Sequence, residues 1–187
     1  TLSINEGSLY KFGKIAIYGL EDFDSNIFTN IINFNLLPGS SFSRSNIETA
    51  KKAIEFILGE KGYAFPSVLP NVSLLDDSGL VDITFRVDPK KKSFVRRINI
   101  KGNTKTNDEV YRRELRQFES SIYSINKVER SKIRLQRLKF VNEVDVKKTI
   151  IDDESGHIDI DFLLEETQSG EFKVGAGYSD SSGAIFN

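Results

Sequence analysis

Two stretches of this 187-residue chain alternate between side chains that avoid water and side chains that mostly seek it. In the first, Val81, Ile83, Phe85 and Val87 are interleaved with Asp82, Thr84, Arg86 and Asp88. In the second, Ile158, Ile160, Phe162 and Leu164 are interleaved with Asp159, Asp161, Leu163 and Glu165. A period of two lays one face of a strand on a core and leaves the other in water. Before each, across a polar turn (DDSG, DDESG), runs another extended segment, residues 68–76 and 141–152. Shorter strands at residues 14–18 and 97–101 end at Gly19 and Gly102, the residue type that best tolerates a tight turn with positive φ.

Between these strands the period changes to that of a helix. Ile27, Phe28, Ile31 and Ile32 share a face behind Asp24 or Ser25 as cap, and Ile47, Ala50, Ile54 and Ile57 share another. The second helix stops at GEKGY, where glycines end it. In the second half, TNDE at residues 106–109 has the spacing of a capping box. Tyr111, Leu115 and Phe118 then fall on one inward face, with Arg112 and Arg116 together on the exposed one. Val128, Ser131, Leu135 and Leu138 repeat the spacing of the earlier second helix. The order β-α-α-β-β is thus read twice, each time as two helices covering one face of a three-stranded sheet, an α+β fold.

The two halves are copies. TLSINEGSLYKFGKIAIYG, residues 1–19, lies over TFRVDPKKKSFVRRINIKG, residues 84–102, without a gap. Leu2 then meets Phe85, Ile4 meets Val87, Ile15 meets Ile98, Ile17 meets Ile100 and Gly19 meets Gly102. A third, partial copy is DIDFLLEETQSG. Units of about 80 residues in tandem are each large enough to hold a core. The boundaries expected are 1–7 for the end of a preceding unit, 8–91 and 92–166 for two complete units, and 167–187 for a linker and a different structure. In that last stretch Phe172, Val174, Ala176 and Tyr178 alternate with Lys173, Gly175, Gly177 and Ser179, and a new apolar run opens at Ala184. Such alternation, one face apolar and the other small or polar, suits a strand of a membrane β-barrel. A chain that starts without Met and stops as a strand begins is expected to be a piece of a longer protein.

Composition narrows the function. Hydrophobic residues make up 39% and charged residues 28%, with a net charge of −1, which suits a folded soluble region and argues against bulk attraction to polyanions. Without cysteine there are no disulfides, thiolate metal sites or cysteine nucleophiles. No apolar run approaches the ~18 residues of a membrane helix. The single histidine, His157, sits beside a turn and reads as a surface residue. Asp152, Asp153 and Glu154 cluster in a turn, where Asp is favoured for its own backbone hydrogen bonds. With no phosphate loop, metalloprotease motif or Ser/His/Asp set, we expect no enzyme, no cofactor and no metal. Lys90, Lys91, Lys92, Arg96 and Arg97 at the junction, and Arg112, Arg113 and Arg116 after it, are either a solvated surface or a site for an acidic partner: protein, lipid headgroup or nucleic acid. KH-type RNA-binding domains share a β-α-α-β core, but need a G-x-x-G loop where this chain has PGSSFS and FESSIYS.

At VRRINIKGNTKTNDEVYRRELRQFE, residues 95–119, the chain resembles the start of the last POTRA domain in the BamA family of outer-membrane assembly factors. EGSLYKFGKIAIYG and GEKGYAFPSV resemble the POTRA domain before it, and EETQSGEFKVGAGYSDSSGAIFN is similar to the family's entry into its barrel. The resemblance implies tandem POTRA domains with mixed sheets, in the periplasm, attached to the outer membrane of a Gram-negative bacterium through a barrel. It implies reception of unfolded outer-membrane proteins, their delivery to the barrel, and docking of accessory lipoproteins such as BamD. The lipoprotein-docking motif of the family falls on Glu119, with Arg112, Arg113 and Arg116. Glu119 is expected past the last helical turn, where a carboxylate gains nothing from the helix dipole and is left for a partner. Client strands are expected on open sheet edges, at Val68, Val72 and Leu74 and at Val144 and Val146, through backbone bonds that ignore side-chain identity. Two other readings are a secretion translocator of the same superfamily and a KH-like nucleic-acid module.

Overall fold

The computed structural model describes residues 9–75, 78–167, 176–179 and 183–186. Its first unit runs β1 (Lys11–Tyr18), α1 (Ser25–Asn35), α2 (Arg44–Glu60), β2 (Ser67–Leu75) and β3 (Leu80–Asp88). The second runs β4 (Phe94–Lys101), α3 (Asp108–Arg112), β5 (Ser121–Ile122), α4 (Ile125–Gln136), β6 (Val141–Asp152) and β7 (His157–Glu166). Two short strands, β8 (Ala176–Ser179) and β9 (Gly183–Phe186), pair antiparallel. The remainder of the expected barrel-type strand, with Phe172 and Val174, and the expected end of a preceding unit lie outside the described residues.

Each unit has its own mixed sheet. In the first, order β1-β3-β2, the central β3 runs parallel to β1 and antiparallel to β2. In the second, order β5-β4-β7-β6, β7 takes the place of β3, and the two-residue β5 adds a fourth strand that the periodicity did not announce. The parallel registers agree between copies: Ile15 lies beside Ile83 and Ile17 beside Phe85, as Ile98 lies beside Ile160 and Ile100 beside Phe162. Both first strands also shift register at the same place, between Phe12 and Ile15 and between Val95 and Arg97. An aspartate answers each bulge. Asp82 Oδ1 accepts from Lys14 N–H at 2.6 Å, and Asp159 receives Arg96 through two bonds of 2.9 and 2.6 Å.

Gly19 and Gly102 have φ of +91° and +90°. A Cβ on Gly19 would stand 1.9 Å from Val87 O, and one on Gly102 would stand 2.0 Å from Leu164 O. Only glycine fits where the first strand turns off under the last.

The cores are those the alternation marked. Ile54, Ile83 and Phe85 are fully buried in the first unit, and Leu135, Ile160 and Phe162 in the second, with Ile98 and Leu115 nearly so. Ile15, Ile17 and Ile100 are half-buried at the margins. Asp24 caps α1 by accepting Asn26 N–H, while Ser43 and Ser124 cap α2 and α4.

The helix after Gly102 departs from expectation. No capping box forms: Asn107 is the N-cap without a side-chain bond, and the Thr106 N–H goes instead to Glu166. The helix stops at Arg112 because Arg116 and Gln117 donate their N–H groups to Ser131 Oγ on α4 (2.7 and 3.4 Å), which draws the chain out of helical register. Arg112 and Arg116 therefore share no helix face. Tyr111 and Leu115 are buried as expected, but Phe118 is turned outward, 62% exposed. Gln117 is buried in its place, with both ends of its amide bonded to Phe118, Ser121, Ile122 and Ser124.

Candidate functional site

The sheet edges differ between their two sides. On the first-strand side each edge is closed by the connection between the helices. Phe12 bonds to Ser40 and Gly39, and Tyr10 O accepts from Phe42, so residues 39–42 cover the start of β1. In the second unit Ser120 N–H donates to Val95 O at 2.7 Å and β5 pairs with Phe94 and Val95. On the other side β2 bonds only to β3 and β6 only to β7 among the described residues.

β2 and β6 are not equivalent as open edges. β6 carries Glu143, Asp145, Lys147 and Lys148, charges of the kind that discourage a further strand. β2, SVLPNVSLL, carries none. Pro70, Val72 and Leu74 line a groove of about 400 Å³ against Phe42, Arg44, Ile47 and Glu48 at the start of α2. Leu74 is 56% exposed there, and Leu69 and Leu75 are exposed as well. Of the residues expected at the edges, Val72 and Leu74 have accessible side chains. Val68 and Val144 are core residues that could serve a partner only through their backbone, and Val146 packs against the second core.

The four residues expected to dock a partner do not form one charged face. Arg112 and Glu119 come together, with Nη1 3.7 Å from Oε1, and Arg112 also pairs with Asp108. Glu119 is not idle: its Oε1 accepts the Ile98 N–H at 2.7 Å, while Arg112 Nη2 donates to Ile98 O at 3.0 Å. Arg116 folds back onto the carbonyls of Arg113 and Leu115. Arg113 is exposed, with no ion-pair partner among the described residues. Ile98, Arg112, Leu115, Gln117, Phe118 and Glu119 enclose a groove of about 280 Å³.

Two carboxylates that the sequence reading passed over tie distant segments together. Glu166, at the end of β7, accepts the N–H groups of Thr104, Lys105 and Thr106 (2.9, 2.9 and 3.1 Å), the Thr104 hydroxyl (3.0 Å) and the Tyr111 hydroxyl (2.5 Å). The Tyr111 bond above all, with the backbone and threonine donors, holds its carboxyl down at about 2. Glu60, at the end of α2, accepts from Ser124 and Asn126 of the second unit. Beside it Lys148 Nζ donates to Ala64 O at 2.6 Å and lies 5.2 Å from the ring centres of both Phe65 and Tyr123. Burial lowers the Lys148 pKa and raises that of the Tyr123 hydroxyl. Among the described residues no group of three His, Cys, Asp or Glu is placed to hold a metal ion, and no helix is long and apolar enough to cross a membrane.

The family model for POTRA domains, described as surface antigen variable number repeat, matches residues 10–90 and again 93–167. The whole chain is 30% identical to outer membrane protein assembly factor BamA of Buchnera aphidicola, covering 30% of that relative's length. It is also 30% identical to BamA of Neisseria meningitidis, covering 23% of that relative's length. The chain therefore spans less than a third of these curated relatives. Among solved structures, BamA POTRA3-5 of Haemophilus influenzae superposes with a TM-score of 0.81 at 30% identity, over 87% of this chain and 63% of that one. BamA of Haemophilus ducreyi lacking POTRA domains 1-3 superposes with a TM-score of 0.67 at 25% identity, over 95% of this chain and 33% of that one.

Proposed function

The chain belongs to the POTRA family, and from that premise we propose that it is the barrel-proximal pair of POTRA domains of an outer-membrane protein assembly factor. It works in the periplasm, receives unfolded outer-membrane proteins and passes them to the barrel. The similarity to BamA relatives over the full chain supports the assignment, and the 95% overlap with a BamA that lacks POTRA domains 1-3 supports the place next to the barrel. In this reading 8–91 and 92–166 are the two POTRA units and 167–187 leads into the barrel. The role is binding and hand-over, with no bond made or broken.

The observation that carries the client-binding reading is the outer edge of β2, uncharged over its whole length and flanked by the apolar groove of Val72 and Leu74. An outer-membrane strand alternates apolar and polar residues, so it can bond its backbone to β2 while its apolar side chains enter the groove. Backbone pairing accepts many sequences, and the groove selects for alternation. β6 is the weaker acceptor because its charges must be matched. The test is the affinity of a fluorescent ten-residue outer-membrane strand peptide for the chain and its Leu74→Lys variant. We expect at least tenfold weaker binding by the variant, because a lysine there fills the groove with a charge. Equal affinity would remove β2 as the client edge.

A second surface is the end of α3 and the turn after it. Glu119, Arg112, Arg113 and Phe118 put charge around an exposed aromatic ring, the composition of a protein-docking site. We assign docking of an accessory lipoprotein such as BamD to this turn, with the Arg113 charge unpaired among the described residues and Arg116 drawn into the fold.

A further inference from the structure

Between β5 and the end of β4 no strand among the described residues pairs with β4 on that side, and at Ile98 side chains serve the edge instead. Ile98 presents its N–H to Glu119 Oε1 (2.7 Å) and its carbonyl to Arg112 Nη2 (3.0 Å). These are the two bonds that a neighbouring strand would make. Arg112 is the last residue of α3 and Glu119 lies in the turn that follows, and both side chains are nearly half exposed, so they can leave without opening the core. Beside them lies the groove walled by Leu115 and the outward-facing Phe118. β5 covers only Phe94 and Val95.

The geometry points to Arg112 and Glu119 as a removable plug that closes the β4 edge, and to β4 as a further strand-accepting edge held shut by it. With the plug withdrawn, an extended segment continues the line of β5 along β4 and lays an apolar side chain against Phe118. A docking partner whose cation draws the Glu119 carboxylate outward takes its oxygen away from the Ile98 N–H. Docking that moves Glu119 in this way releases the edge; this last step rests on the docking reading above. A partner bound at Glu119 thereby opens a second site for an incoming strand in the unit nearest the barrel.

Amide exchange and carbonyl shifts in the full chain test the plug. In the Glu119→Ala variant the Ile98 amide should exchange about 10- to 100-fold faster, the factor expected for losing a bond to a charged acceptor. The β7 amide of Ile160 should keep its rate. In Glu119→Gln an acceptor oxygen remains, so Ile98 should stay within a fewfold of the parent. In Arg112→Ala the Ile98 carbonyl carbon should move upfield while the fold is kept. An unchanged Ile98 amide in Glu119→Ala, or an equal rise at Ile160, would overturn the plug. Acceptance of a strand is read by adding the same ten-residue outer-membrane strand peptide to the Arg112→Ala/Glu119→Ala double variant. Shifts at Ile98 and Ile100 that are absent in the parent chain are expected, and their absence at saturation would overturn β4 as an acceptor. Lipoprotein affinity of Glu119→Gln keeps the two readings apart: it reports on docking through charge, and its outcome leaves the exchange result standing.

Discussion

Glu60, the last residue of α2, accepts the backbone N–H of Asn126 at 2.7 Å, so a helix of the first unit caps a helix of the second. The same oxygen takes the Ser124 hydroxyl at 2.9 Å. The carboxylate thus serves one open N–H at the start of α4, where negative charge is favoured. Gly59 lets the two helices approach: a Cβ there would stand 2.8 Å from the Ile125 Cβ. The linkage of the units is built into their helix ends.

Replacing Glu60 by Ala should lower stability by about 1 kcal/mol, as loss of a helix cap does elsewhere. Urea unfolding of the full chain reads it. An unchanged midpoint would mean that Ser124 suffices as cap without help from the first unit.

Lys148 reaches out of β6 to Ala64 O in the α2–β2 loop of the first unit. Lys148→Met keeps the length of the side chain but leaves that carbonyl without its partner, at a cost of about 1–3 kcal/mol. Residual dipolar couplings on the variant should report altered relative motion of the two sheets. Identical couplings and stability would reduce Lys148 to a bystander.

Glu166 makes the second unit sensitive to acid. Its carboxyl is held at about 2, below its ordinary value of 4.5. A depressed carboxylate pKa gives stability that is fully present above the unfolded value and is lost as pH falls through the folded one. The loss should therefore run from about pH 4.5 down to about 2, as Tyr111 and the 104–106 backbone lose their acceptor. Glu166→Gln should be less stable than the parent at neutral pH and show a flatter acid dependence in that window. Parallel pH curves for the two proteins would contradict the assignment.

Gly102→Ala should destabilise by more than about 1 kcal/mol, since it combines a left-handed φ with a contact of 2.0 Å to Leu164 O. Gly39→Ala is the control. Its φ of +83° is similar, but a Cβ there meets nothing within 4 Å, so it should cost less. Equal losses would make backbone conformation, and not the strand contact, the whole effect.

Much of the fold is legible because it repeats. The alternation at Ile83–Phe85 and Ile160–Phe162 reports burial directly, and a glycine kept in both copies marks the same turn. What failed to show depends on partners far along the chain. The length of α3 is set by Ser131 on another helix, and nothing in RRELRQFE announces that its Gln, and not its Phe, will be buried. Glu119 looked free for a partner because its acceptor role involves Ile98, on a strand that passed before it. Glu60 and Glu166 are ordinary helix-end and strand-end carboxylates until the fold brings Asn126 and Thr104 to them. The candidate edges β2 and β6 are placed by their position across a turn from the alternating strands, and their difference in charge is already in the sequence, but only the structure shows the groove beside β2.

The central claim is that client strands add to β2. It is tested most directly by intermolecular backbone contacts in the complex of the isotope-labelled chain with an unlabelled ten-residue outer-membrane strand peptide. Expected are contacts from the peptide backbone to Val68–Leu74 broken at Pro70, which has no N–H to donate, slowed amide exchange on either side of it, and peptide apolar side chains near Val72 and Leu74. Contacts confined to the solvent faces of the helices, with the β2 edge amides exchanging as in the free chain, would contradict it.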